Sequence, residues 1–327
     1  MKLKRKIQII GLLSVVTLII TVLAGELFIF LFNPQELVSP TLKTKEYLFQ
    51  YPPNTTVNHK VGRHTRQYTT NTLGHRKMEV TQGDNVILLG DSFTFGMGVE
   101  DNYEWGSVLQ SNTDCNIVNL GMSGWGLTQE IKRFYEVGMD WKPKAVILMF
   151  CENDILDNTM CPVTKVKDGK FVFEDLELED TKKSLGERLF NPLAIRSQLF
   201  RFFRRRAYTN ERIKQIKSLS IAQEIIYSNL LSTFAEDMKQ RGVDIFFISV
   251  NNLIDGNEVT QLSKFKQAEE SVLKLDSLNL IKYINSNELV QLGDYITSPV
   301  GHYSIEWNKA IGEGLANTIT KWHQKQI

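Results

Sequence analysis

Hydrophobic residues fall along this chain in two kinds of run. The first is continuous: from Ile7 to Phe32 the only charge is Glu26. A helix needs about 20 apolar residues to cross a bilayer core, and this run is long enough. Lys2, Lys4, Arg5 and Lys6 precede it, and a mixed-charge stretch with Glu36, Lys43, Lys45 and Glu46 follows. The positive-inside rule then predicts a cytoplasmic N-terminus. A cleaved signal peptide is one rival, but its apolar region usually spans about 7–15 residues before a small-residue cleavage site. Here the apolar stretch resumes as Leu27-Phe28-Ile29-Phe30-Leu31-Phe32 after Glu26, with no clean cleavage site. A buried core helix is the other rival, and four flanking cations at the chain start argue against it. The expectation is a membrane anchor over residues 1–32, a single pass, with everything after Asn33 outside the cytoplasm.

The second kind of run is short and alternates with longer amphipathic stretches. Asn85–Leu89, Ile117–Leu120, Ala145–Phe150 and Asp244–Val250 read as buried strands. Thr128–Val137, Ile221–Gln240 and Tyr303–Lys325 carry apolar residues at helical spacing of three and four. Strands of aliphatic residues separated by helices predict an α/β fold, with a mainly parallel sheet covered on both faces. Residues 33–80 read as an irregular lead-in, with Pro34, Pro40, Pro52 and Pro53 and the polar run Asn54-Thr55-Thr56. In parallel sheets, ligands bind beyond the carboxyl ends of the strands, so motifs are sought there.

Composition narrows the picture. Of 327 residues, 42% are hydrophobic and 23% charged, the make-up of a globular protein. Lys+Arg 38 against Asp+Glu 37 leaves a net charge of +1, so no basic field recruits nucleic acid. Three cysteines, none in a CxxC or His/Cys cluster, predict neither a disulfide framework nor a zinc site. No cofactor and no metal is expected.

The strand ends hold the candidate chemistry. Val86–Leu89 runs into Gly90-Asp91-Ser92-Phe93-Thr94-Phe95-Gly96, which exposes a serine in a turn flanked by glycines. Helix capping is the plain alternative role for such a serine. The turn is not a phosphate loop, a GxGxxG dinucleotide loop or a GxSxG elbow. Gly121 follows the second strand, where its N–H could face the same crevice; a simple Gly-rich turn is the plain alternative. Cys151-Glu152-Asn153-Asp154 follows the third strand and offers Asn153 as a side-chain donor, or as a turn-forming residue. His302 lies in Gly301-His302-Tyr303-Ser304, just before the last helix.

In this order the motifs resemble the SGNH subgroup of GDSL-type serine hydrolases, most closely its membrane-anchored members. The resemblance covers about residues 71–157 and 285–325 and implies a three-layer α/β/α, flavodoxin-like hydrolase domain over residues 81–327. It implies that Ser92 is the nucleophile and His302 the base, and that Ser92, Gly121 and Asn153 form the oxyanion hole. Asn71-Thr72-Leu73-Gly74-His75-Arg76 is similar to the lead-in of anchored members. The activity implied is cleavage of an ester, an O-acylated carbohydrate or another envelope component. An O-acyltransferase or a decayed glycan-binding protein on the same fold are the alternatives.

Two positions depart from the pattern. Cys151 stands where the family has glycine, and Pro299 and Val300 occupy the places of the triad aspartate. A triad acid orients the histidine, so its absence bears on activity; Asp294 is the nearest other carboxylate upstream. A further stretch mixes Arg196, Arg201, Arg204, Arg205 and Arg206 with Phe200, Phe202 and Phe203. It reads either as a segment lying on anionic lipid or as an ordinary helix with solvated arginines.

Overall fold

The computed structural model of the chain describes residues 2–39, 41–61, 63–177, 192–193, 195–254, 257–286, 289 and 302–326. It opens with helix α1 (Lys2–Phe32), whose Leu3–Phe32 part has a mean hydropathy of 2.6. Only 6% of this span is buried, so it is not a core helix. Among the described residues it is the one helix long and apolar enough to cross a membrane. A helix apolar all round satisfies its own backbone and suits lipid better than water.

Five strands build the central sheet: β1 (Asn85–Leu89), β2 (Asn116–Asn119), β3 (Ala145–Phe150), β4 (Asp244–Ser249) and β5 (Lys282–Ile284). They lie in the order β5-β4-β3-β1-β2 and every pairing is parallel. Val86 pairs with Ala145 and Leu89 with Leu148, so β1 and β3 end side by side. Because β2 lies outside β1, the winding reverses between β1 and β3, and a crevice opens there at the carboxyl edge.

Eight helices complete the set used here: α2 (Ser92–Phe95), α3 (Trp105–Ser111), α4 (Leu127–Glu136), α5 (Asp154–Met160), α6 (Gln198–Lys217), α7 (Ile221–Gln240), α8 (Lys266–Ser277) and α9 (Ile305–His323). Alternate strand residues feed two cores. Ile87, Leu89, Val146, Leu148 and Phe150 pack under α4, α7 and α8 through Ile131, Phe134, Leu230, Phe234 and Val272. Val86, Leu88, Ile147 and Met149 face α3 and α9 through Trp105, Leu109, Trp307, Ile311 and Leu315. The expected α/β/α layering is present. The β1 and β3 bounds and the α7 bounds agree with the sequence pattern, and the other expected elements shift by one or two residues at their ends.

Residues 33–80 hold regular structure that the sequence pattern did not show. Leu37–Val38, Thr56–Val61 and His64–Thr69 form an antiparallel sheet with Thr56 opposite Thr69 and Val61 opposite His64. Val57 and His59 are buried while Asn58 and Lys60 are exposed, so the strand has a period of two. Its inner face hides one imidazole, bonded to Glu36, which breaks the apolar alternation. Tyr47, Tyr51, Val57 and Tyr68 from this region bury against Phe95 of α2 and Met122 and Trp125 of the loop after β2. The lead-in therefore braces the functional edge of the main sheet.

Phe150 is fully buried, against Tyr227, Phe247 and Phe265. Phe150→Ala should cost about 3–5 kcal/mol in urea unfolding; a cost below about 1 kcal/mol would contradict this packing.

Candidate active site

The turn after β1 depends on Gly90. Its φ is +147°, and a Cβ there would stand 2.2 Å from Thr94 Oγ1 and 3.0 Å from the Met149 carbonyl. Only glycine lets β1 bend this closely past β3. Asp91 then caps α2, its carboxylate accepting the Phe93 N–H at 2.9 Å. Ser92 opens the helix, half-buried.

His302 arrives from the far end of the chain. Trp307, Ile311, Leu315 and Ile319 bury one face of α9, and Asn308 Oδ1 accepts the Trp105 N–H at 3.2 Å. Ser304 caps α9 by accepting the Trp307 N–H at 3.2 Å. Tyr303 stacks on Trp307 and meets the Phe93 ring edge-on at 4.5 Å. These contacts fix the residues that follow the histidine. The result is a hydrogen bond of 2.8 Å between His302 Nε2 and Ser92 Oγ. Pro299, Val300 and Asp294, the positions weighed for the triad acid, lie outside the described residues.

Asn153 also reaches this edge, but its amide is engaged. Nδ2 donates to Asp91 Oδ2 at 3.2 Å and to Asp157 Oδ2 at 2.8 Å, while Oδ1 lies 2.8 Å from the Cys151 thiol. Cys151, in the place of the family glycine, is buried, and its N–H donates to Asp154 at 2.9 Å. Asp157 is in turn clamped by Arg212 of α6 at 2.9 and 3.1 Å.

Gly121 sits where a Cβ would meet the Phe95 nitrogen and Thr94 Cγ2, each at 2.7 Å, so the β2 loop is pressed onto α2. Its N–H donates to the Asn119 side chain at 2.9 Å. The oxyanion role expected of it requires Asn119 to let go. Gly124, three residues on, has φ +80°, is exposed, and has nothing within 4 Å of its Cβ position. Sequence reasoning passed over it as one of three glycines in the same turn.

The Asn71–Arg76 motif holds this loop from behind. Burial and the Arg133 charge push the His75 imidazole down to about 3, so it is neutral. Arg133 Nε donates to His75 Nε2 at 2.7 Å, which leaves Nδ1–H to donate to the Gly121 carbonyl at 3.2 Å. The Arg/Phe stretch lies largely in α6. Arg201, Arg204 and Arg205 line a cavity of about 530 Å³ that also reaches His302. Arg204 is exposed and Arg201 and Arg205 are half-buried, so the arginines are partly solvated, as an ordinary helix would have them.

Carboxylates crowd the β1–β3 crevice. Burial raises Asp91 to about 6, and burial with mutual repulsion pushes Glu130 and Asp154 upward as well. Such burial is expensive unless hydrogen bonds offset it.

Over residues 86–177 the chain matches the family model described as GDSL-like lipase/acylhydrolase. The matched segment contains Ser92, Gly121 and Asn153 and ends before His302. No curated protein matches the chain. Solved structures with a similar fold include a member of the lipolytic protein G-D-S-L family from Veillonella parvula DSM 2008, 12% identical, covering 73% of this chain and 100% of that one, with a TM-score of 0.44. A psychrotrophic esterase from Pseudoalteromonas sp. is 11% identical over 74% of this chain and 99% of its own, with a TM-score of 0.44. A mutant of an acetyl-xylooligosaccharide esterase from Geobacillus Stearmophilus is 13% identical over 74% and 96%, with a TM-score of 0.42.

Asp91 supplies a signed pH test. A buried carboxyl raised to about 6 favours folding below its ordinary value near 3.8, and that advantage is lost as pH rises toward 6. Asp91→Asn cannot titrate, so its stability relative to wild type should improve between pH 4 and pH 7, by up to about 3 kcal/mol. Urea unfolding at both pH values measures this; a pH-independent difference would contradict it.

Proposed function

We propose that this chain, a GDSL-type acylhydrolase by its match over residues 86–177, cleaves an acyl ester through Ser92 and His302. The observation that carries this reading is the 2.8 Å Ser92–His302 hydrogen bond. A serine hydroxyl is a weak nucleophile until a base takes its proton, and His302 Nε2 stands where that proton leaves. Ser92 Oγ attacks the ester carbonyl, His302 takes the proton, and the imidazolium returns it to the departing alcohol. Water, activated by the same histidine, then frees the acyl group from Ser92.

The tetrahedral oxyanion needs donors that meet it only at that stage, each worth about 3–4 kcal/mol. The Ser92 N–H at the turn is one. Asn153 is the second: its longer bond, to Asp91, gives way to the oxyanion while Asp157 keeps the side chain in place. The β2 loop supplies the third, from its exposed turn at Gly124 or from Gly121 once Asn119 releases it.

The location proposed is the cell membrane, with α1 as a single-pass anchor, the N-terminus cytoplasmic and the catalytic domain outside. The substrate proposed is an O-acylated carbohydrate or another ester of the envelope.

Hydrolysis of p-nitrophenyl acetate by the full chain in detergent tests the chemistry. Ser92→Ala and His302→Ala should each lower kcat/KM about a thousandfold or more, and Asn153→Ala about a hundredfold. Undiminished activity in Ser92→Ala would reject the nucleophile. With a glycan acceptor present, acyl transfer exceeding hydrolysis would make the enzyme an acyltransferase instead. For topology, external protease should digest the domain after Asn33 in spheroplasts; protection until lysis would reverse the orientation.

A further inference from the structure

Three elements converge on the amide of Asn153. Its Nδ2 donates to Asp91 in the turn after β1 at 3.2 Å and to Asp157 Oδ2 in α5 at 2.8 Å. Asp157 stands one turn beyond Asn153, and its N–H donates to the Asn153 carbonyl at 2.8 Å. That backbone bond places the Asp157 Cα but not its carboxylate, which can rotate about the side-chain torsions. The third element, α6, selects the rotamer. Arg212 Nη1 and Nη2 donate to Asp157 Oδ1 and Oδ2 at 2.9 and 3.1 Å, a fork that fixes the plane of the carboxylate.

The pair is shielded from water, with 7% of the Asp157 side chain and 17% of the Arg212 side chain exposed. Ile216 and Leu219, four and seven residues after Arg212, pack on the core and seat this end of α6. Arg212 Nη1 also lies 3.3 Å from the sulfur of Met160, the last residue of α5. The titratable groups that act on Asp157 are Asp91 from the turn after β1, Glu130 from α4, Asp154 in α5 and Cys161 just beyond it. None of these can carry positive charge. Arg212 is the one cation paired with Asp157 among the described residues, and Tyr208 and Cys151 act on it in turn. A buried carboxylate that loses its cation takes up a proton instead, and a neutral carboxyl accepts a hydrogen bond less strongly.

We infer that Arg212 is a positioning residue for the oxyanion hole: through the Asp157 carboxylate it holds one amide proton of Asn153, so that the other can turn from Asp91 to the oxyanion. The inference rests on the proposed ester chemistry. It deepens that reading by giving a role in it to a helix that lies beyond the matched residues 86–177.

Hydrolysis of p-nitrophenyl acetate by the full chain in detergent, at pH 7 and pH 9, is the test. Both values lie above the level of about 6 to which burial raises Asp91, so that neighbour stays ionised throughout. Arg212→Gln should lower kcat about tenfold at pH 7 with KM changed less than about twofold, and recover to within about threefold of wild type at pH 9 as Asp157 ionises. Arg212→Lys keeps the charge without the fork, and should restore most of kcat and remove the added pH dependence. In an Asn153→Ala background Arg212→Gln should cost less than about twofold, because the group it positions is gone. Arg206→Gln, exposed on the same helix, controls for the lost charge and should match wild type. For a readout without turnover, 15N-asparagine NMR of Ser92→Ala protein should show the Asn153 amide shifting between these pH values in Arg212→Gln and staying fixed with Arg212 present. A kcat loss equal at both pH values, a loss carried by KM, or a full tenfold loss in the Asn153→Ala background would overturn the inference. So would an Asn153 amide that ignores the Arg212 substitution. If the amide responds while Ser92→Ala keeps full activity, the hold of Arg212 on Asn153 stands and the nucleophile reading falls.

Discussion

The hydrogen bond between Ser92 and His302 joins residues 210 positions apart, and the rest of the architecture serves to keep them in register. Loop entropy alone would scatter two such side chains. Two independent dockings prevent this. The parallel β1–β3 pairing and the Gly90 turn hold the serine, while the buried face of α9 and the Tyr303–Trp307 stack hold the histidine. Neither docking is part of the proposed chemistry, yet a shift of one ångström in either would weaken the proposed proton transfer severely.

Around that bond the chain buries more charge than a hydrophobic core would choose. Asp91, Glu130, Asp154 and Asp157 converge under the β1–β3 crevice, and among the described residues only Arg212 comes to them as a paired cation. Hydrogen bonds from Phe93, Asn153 and Cys151 offset part of the cost. The network fixes Asn153 between two carboxylates, which occupy its amide protons. It also ties the crevice to α6, and through Glu26 to α1. The apolar N-terminal helix is thereby part of the frame that shapes the cleft.

Much of this was legible from residues alone, for a physical reason. Strands buried on both faces, such as Val86–Leu89 and Val146–Phe150, must be apolar throughout, so they stand out as runs. The motif residues sit at strand ends, where topology brings them together whatever lies between. Short elements escaped: β5 has three residues at a sheet edge, and α2, α3 and α5 are too short to show a period. The lead-in strands were hidden by His59, a buried polar residue in an inward position. The partners of Asn153 and the Gly121 amide were out of reach as well, because hydrogen bonding at an edge depends on neighbours such as Asp157 and Asn119 that no spacing rule selects. The arginines of α6 carried a visible signal, but the side they face depends on Glu26 and Asp157, far away in sequence.

The central claim is that Ser92 is a nucleophile activated by His302, and a fluorophosphonate probe tests it most directly, because its adduct imitates the tetrahedral intermediate. Mass spectrometry of the labelled full chain should find one equivalent on the Ser92 peptide. Labelling should vanish in Ser92→Ala and slow at least a hundredfold in His302→Ala. A folded wild-type protein that stays unlabelled, or one labelled on a different serine, would contradict the account.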